Sequence, residues 1–301
     1  MRTAFIQEFI RQAREHPDLF LVVGDLGFSV VEPFAAEFPD RFLNAGVAEQ
    51  NMTGLAAGLA ASGYHVFTYS IANFPTLRCL EQIRNDVCYH GLPVTVVSVG
   101  AGLSYGNLGY SHHAVQDLGI LRTLGELTVL SPADPGETRA CVRWLANHPG
   151  PSYLRLGKAG EPELHAEQPL EPVPVKVLDG NAEVALVATG SVLKSALEAA
   201  RAVHAEGWQV PVFSCPWLQP ADERWTAALA GFRCLLAVEE HVAAGGLASL
   251  LRDALPPAAE VRGLAVPLAV TRQVGSQEYL RRQAGLDAAG VLARLRAWRT
   301  G

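Results

Sequence analysis

Short runs rich in β-branched residues alternate with helix-period segments from one end of the chain to the other. No other feature constrains the fold as strongly. FLVVGD, VFTYS, PVTVVSV, LTVLSP and SYLRLG read as strands in the first half, each beside a helical candidate. Alternation of this kind buries both faces of a mostly parallel sheet under helices. One helix start is clearly marked, because Asp134 or Ser131 can cap ETRACVRWLANH. The stretch AEQPLEPVPVKVLDG, residues 166–180, has prolines at 169, 172 and 174 and no helical period, which predicts a linker. Beyond it the alternation restarts. EVALVAT, VPVFS and LLAVEE read as strands, SVLKSALEAARAVHAEG as a helix capped by Ser191, and GGLASLLRDAL as another helix. The expectation is an α/β protein of two doubly wound domains with mostly parallel sheets, at 1–165 and 181–301.

Charge narrows the partners. A formal net charge of −6 on 301 residues leaves no electrostatic footprint for nucleic acid or an anionic membrane. Cys79, Cys88, Cys141, Cys215 and Cys234 lack paired spacing, which argues against a zinc knuckle or disulfide framework and for a reducing compartment. MRTAFIQEFIRQAREH is charged throughout, so it reads as an amphipathic helix rather than a signal peptide. No apolar run reaches membrane-spanning length. These features predict a cytoplasmic protein.

Three motifs carry weaker signals. GLSYG, residues 102–106, follows a strand and fits a nucleophile elbow on Ser104, with His241 and an upstream aspartate completing a triad on paper. The elbow must open directly into a helix, and NLGYSHH has no helical period, so a glycine-rich loop is the better expectation. GDL at 24–26 followed by Asn51 faintly resembles the metal-diphosphate signature of thiamine enzymes. Leu26 stands where a glycine must let the backbone approach a diphosphate, and Asn51 falls within a helix. His112 and His113, with His90, invite a metal set, but the adjacent side chains of the pair point to different faces, so a metal site is not expected.

The most informative residue is Glu49. From Phe42 to Leu77 it is the only Asp, Glu, Lys or Arg. One reading has it in the first turn of a helix capped by Asn44, complementing the dipole. The helix that follows, MTGLAAGLAA, is apolar or small on every face and should be buried. A buried carboxylate is costly without a specific partner, and no Lys or Arg stands near it in the sequence. A ligand nitrogen would answer that need.

FLNAGVAEQNMTGLAAGLAASG resembles the corresponding segment of the transketolase family, shared with deoxyxylulose-phosphate synthase. The likeness continues through LPVTVVSVGAGLSYGNLGYSHHAVQDLGILRTL, TVLSPADPGET and GPSYLRLGK. It reaches VALVATGS, LAVEEHVAAGGLASLL and VGSQEYLRRQAGLDAAGVLARL in the second half. The family's diphosphate-binding domain has no counterpart here. The resemblance is therefore to the C-terminal subunit of a split transketolase, with a pyrimidine-binding domain, a linker and a C-terminal domain.

The resemblance implies thiamine diphosphate as cofactor. Mg²⁺ and the diphosphate would be held mainly by a separate N-terminal subunit, in a heterotetramer that transfers a two-carbon ketol unit from a ketose to an aldehyde. By motif position Glu49 is the glutamate that hydrogen-bonds the aminopyrimidine ring nitrogen. Phe74 and Tyr69, with Phe67 and Ile71, are candidates for the pyrimidine contact. His112 matches the histidine that contacts sugar hydroxyls and can shuttle a proton; His113 stands beside it. Arg2, Ser29 and Lys158 match phosphate-binding positions, with lysine replacing an arginine's bidentate grip. Val99 and Leu108 stand where the resemblance places a histidine and an aspartate, which implies an acceptor or donor less phosphorylated or less hydroxylated than pentose phosphates. Glu239, Glu240 and His241 are expected to form a solvated cluster. The rivals are a 2-oxoacid dehydrogenase β subunit, a hydrolase on Ser104, and a non-catalytic scaffold chain.

Overall fold

The run VTVVSV has no polar face to offer water, so a strand made from it must be covered on both sides. The computed structural model, which describes residues 1–299, shows how the chain does this. The first unit runs α1 (Arg2–Glu15), β1 (Leu19–Val23), α2 (Glu32–Glu37), β2 (Phe42–Asn44), α3 (Glu49–Ala61), β3 (His65–Ile71) and α4 (Leu80–Gln82). It continues through β4 (Val94–Val99), α5 (Asp117–Leu121), β5 (Thr128–Leu130), α6 (Pro135–Asn147) and β6 (Ser152–Leu156). The second unit contains β7 (Val175–Leu178), β8 (Val184–Thr189), α7 (Leu193–Ala205), β9 (Val212–Ser214), β10 (Trp217–Gln219) and α8 (Glu223–Ala227). It ends with β11 (Cys234–Glu239), α9 (Leu247–Ala254), β12 (Glu260–Leu264), α10 (Leu268–Thr271), α11 (Gln277–Ala284) and α12 (Ala288–Arg299).

Two sheets result. The first has the order β10-β5-β6-β4-β3-β1-β2 and the second β12-β11-β8-β9-β7. Both are parallel except at one edge each, where β10 pairs antiparallel with β5 and β7 with β9. β4 is buried at every position, as its composition requires. The face of β3 that carries Phe67 and Tyr69 packs under α1, with Phe9 4.7 Å from Phe67 and Phe5 5.7 Å from Tyr69 between ring centroids. The opposite face, with Val66, packs in a separate cluster with Met52, Ala56 and Ala60 of α3.

Several expectations need correction. The proline-rich stretch is not wholly a linker, because β7 lies within it and closes an edge of the second sheet. Asp134 caps α6 as expected, its Oδ1 accepting from Glu137 N at 2.8 Å. Ser191 does not cap α7, which begins after a 3₁₀ turn; its hydroxyl accepts instead from Arg281 Nη2 at 2.8 Å. Asn44 does not cap α3, since its Oδ1 accepts from Gly46 N and Asp25 N. Nor is α3 buried all round. Gln50, Asn51, Gly54, Leu55 and Gly58 face outward, and a side chain added at Gly54 or Gly58 would touch nothing.

The units are joined by a buried polar seam. Arg155 of β6 donates to Asp117 at 2.7 Å and to the carbonyls of Ala114 and Glu240, while Tyr153 Oη donates to Asp117 at 2.6 Å. The expected solvated cluster is part of this seam, and all three members are buried. Glu239 accepts from Leu247 N and Ala248 N, Glu240 pairs with Arg281 at 2.7 Å, and His241 Nε2 accepts from Gly119 N. Gly102 must be a glycine here, because a Cβ at its φ of +63° would come within 2.5 Å of Glu240. The five cysteines are free thiols. Among the described residues no helix is long and apolar enough to cross a membrane.

Candidate active site

In a parallel sheet, loops gather beyond the carboxyl ends of the strands, and open α/β sheets place ligands there. Gly24 follows β1, Glu49 follows β2, the turn at 72–76 follows β3 and Gly100 follows β4. Glu49 opens α3 and is 1% exposed. Its partner is one that is not near it in the sequence: Arg78 Nη1 donates to Oε2 at 2.6 Å from 29 residues away. Arg78 is itself 47% exposed, so the pair joins a buried acid to an open rim. Among the described residues the other oxygen, Oε1, is met only by a long 3.4 Å contact from Ser70 Oγ.

The turn between β3 and Arg78 is strained and pinned. Ala72 has φ +34°, unusual for a residue with a side chain, and is fully buried. Its carbonyl accepts from Thr76 Oγ1 at 3.0 Å and Ser98 Oγ at 2.9 Å, which hold the turn in place. Strain of this kind persists where surrounding structure over-determines it, often at functional sites. The turn presents Phe74, half-buried. The Arg78 guanidinium lies 4.8 Å over its ring, and the His112 ring meets it edge-on at 5.3 Å. Glu49, Arg78, Phe74 and His112 thus form one continuous line. Ser111 Oγ lies 3.0 Å from His112 Nδ1, and burial, then the neighbouring His113, push the His112 pKa below its ordinary value.

Other expected residues are placed elsewhere. Phe67 and Tyr69 are core aromatics on the α1 side of β3, whereas Ser70 faces Glu49; strand alternation separates them from the acid. They are not part of this line. Ile71 ends β3, where its carbonyl accepts from Phe74 N at 2.9 Å. His113 is buried and turned to the second unit, its Nδ1 3.0 Å from the Thr271 carbonyl. Arg2 begins α1 near Tyr105, and Ser29 sits exposed at φ +62° beside Glu32. Lys158 lines a cleft of about 150 Å³ between the units, with Ser191, Lys194, Gln277 and Arg281. Val99 is buried in the core, so it reports nothing about a ligand, while Leu108 is 57% exposed. Ser104 is buried, donating to Ala101 O and accepting from Gln277, and it is followed by the short 3₁₀ turn Gly106–Leu108 rather than by the α-helix an elbow needs. Arg78 and Ser70 were missed, because only the fold brings them to Glu49.

The first 160 residues match the family model described as transketolase, pyrimidine binding domain, and residues 174–291 match transketolase, C-terminal domain. The chain is 33% identical to a subunit of the apulose-4-phosphate transketolase of Actinobacillus succinogenes, over 95% of this chain and 94% of that one. It is 34% identical to a 1-deoxy-D-xylulose-5-phosphate synthase of Geobacter sulfurreducens, covering 88% of this chain but 42% of that protein. Among solved structures it resembles a split-gene transketolase described as an inactive β4 tetramer, with TM-score 0.86, 33% identity, and 98% and 96% of the two chains covered. A Pichia stipitis transketolase shares the fold at TM-score 0.80 and 19% identity, over 98% of this chain and 45% of that one. The two units described above are a transketolase pyrimidine-binding domain and C-terminal domain, and the chain belongs to the transketolase family.

Proposed function

We propose that this chain is the pyrimidine-holding subunit of a two-chain, thiamine-diphosphate-dependent ketol transferase. It would work with a separate N-terminal subunit that carries the diphosphate and Mg²⁺, as two copies of each, in the reducing cytoplasm. The observation that carries this is the state of Glu49: buried, with one oxygen committed to Arg78 and one almost unpartnered. Such an oxygen fits a ring-nitrogen donor. The outward face of α3 and the exposed Val47, at 77%, support a second chain covering this edge.

When bound, thiamine diphosphate supplies the carbanion chemistry. Glu49 would hold the proton on the pyrimidine ring nitrogen, Arg78 would fix the carboxylate's rotation, and Phe74 would offer an apolar wall. His112, whose pKa burial lowers, can give or take a proton toward a sugar oxygen at Nε2, the ring nitrogen that Ser111 does not meet. Leu108, exposed in the turn just before the one that carries His112, supports a substrate with fewer hydroxyls near that point than a pentose phosphate carries. The relatives named for apulose 4-phosphate put that sugar phosphate among the first substrates to test.

The test is reconstitution with an N-terminal subunit, thiamine diphosphate and Mg²⁺ over a panel of ketose donors and aldehyde acceptors. Glu49→Gln should lower turnover by roughly two orders of magnitude or more with assembly intact. Near-normal turnover in that variant would remove Glu49 from the chemistry. Tight thiamine diphosphate binding by this chain alone would contradict a divided site.

A further inference from the structure

His112 sits at the end of a single 3₁₀ turn, Tyr110–His112, entered through Gly109 at φ +76°. One short turn is a weak support for a group whose ring must be placed to within a fraction of an ångström. Its own bonds are His112 N to Gly109 O at 2.9 Å and His113 N to Tyr110 O at 3.2 Å. A third element braces it. Asn73, on the pinned turn after β3, donates from Nδ2 to His113 O at 2.9 Å and to Ser111 O at 3.3 Å. These two carbonyls lie on either side of His112. Asn73 therefore grips the backbone before and after the histidine, while the adjacent Phe74 touches its ring.

We infer that Asn73 is a positioning residue: it fixes His112 against Phe74, and so couples the histidine to the turn that also carries Arg78 and Glu49. The inference rests on the reading of His112 as the substrate-facing base. The pinned backbone beside it supports this, because Ala72, at φ +34° and with its carbonyl held by Thr76 and Ser98, immediately precedes Asn73. The Asn73 Oδ1 is buried without a partner among the described residues, so the side chain is kept for its two N–H bonds alone. Its removal would free the Ser111–His113 segment at both ends.

The experiment uses Asn73→Ala, Asn73→Asp and His112→Ala. The aspartate keeps the shape of asparagine but has no N–H to give either carbonyl. In the full chain labelled with ¹⁵N-histidine, with the His112 signal assigned from its absence in the His112→Ala variant, both Asn73 variants should shift the His112 ring resonances and raise its pKa toward the ordinary value. In the reconstituted enzyme, assayed with xylulose 5-phosphate and apulose 4-phosphate, kcat should fall by about 10- to 100-fold while KM stays within about threefold, as expected for a misplaced catalytic group. If Asn73→Asp keeps wild-type kcat and unmoved His112 resonances while His112→Ala is inactive, this inference fails and the functional reading stands. If His112→Ala keeps full activity, the functional reading of His112 fails, and this inference with it. Should Asn73→Ala not fold, the aspartate variant decides the matter alone.

Discussion

Glu49 has one oxygen tied to a cation and one nearly free, and that asymmetry makes it more than a buried charge. An unpaired carboxylate in this position would cost several kcal/mol. Arg78 supplies a partner at Oε2 and leaves Oε1 turned toward Ser70. Replacing Arg78 by Met should therefore weaken thiamine diphosphate binding by the assembled enzyme about tenfold, measured by calorimetry. Arg78→Lys should restore part of it, since an ammonium supplies charge without the planar fork. An unchanged Kd in Arg78→Met would show that the pair has no part in the site. The solitude of Glu49 was legible in the sequence; its partner was not. A pair 29 residues apart, reached across β3, follows only once the strands are ordered. Val99 shows the same limit from the other side, because a resemblance of motifs does not say which way a strand residue points.

The strand β3 alternates in function as well as in burial. His65, Phe67 and Tyr69 face α1, while Ser70 faces the acid, so a one-residue shift in register would exchange core for site. His65 is buried, with neither ring nitrogen partnered among the described residues. Burial, only partly opposed by Asp18, lowers its pKa from 6.5 to about 4. The sign follows directly. Above pH 6.5 folded and unfolded chains both hold it neutral; as pH falls from 6.5 toward 4 only the unfolded chain takes the proton, and stability drops. That loss is roughly 3 kcal/mol over the interval. Urea unfolding at pH 7 and pH 4 should show His65→Phe losing less than the wild type by about that amount, and parallel losses would contradict it. The long elements, α1, α6 and α7, were readable because their apolar period or caps are strong. The edge strands β2, β7, β10 and β12 were missed because three to five residues carry too little pattern, and prolines hide β7.

At the scale of the whole molecule the two units are one structure. Arg155 and Asp117 are 1% and 0% exposed, and their hydrogen bonds reach across to Glu240. The two-domain plan was evident from the alternation, but the seam was not, since Glu239, Glu240 and His241 look like ordinary surface residues in sequence. Asp117→Ala should lower stability by roughly 3–5 kcal/mol, because it strands a buried guanidinium. A double variant with Arg155→Met should recover much of that, and chemical denaturation of the three chains checks both. If the single variant loses less than about 1 kcal/mol, the seam is only packing.

The strand β10 carries a further consequence. It is encoded beyond the proline-rich stretch yet hydrogen-bonds to β5, completing the outer edge of the first sheet. Ownership in space and order along the polypeptide disagree by about forty residues of the second unit's territory, from Val175 to Trp217. A gene cut at the prolines would not yield two self-sufficient pieces: the upstream piece would carry a bare, sticky edge on β5, and the downstream piece a strand with nothing to join.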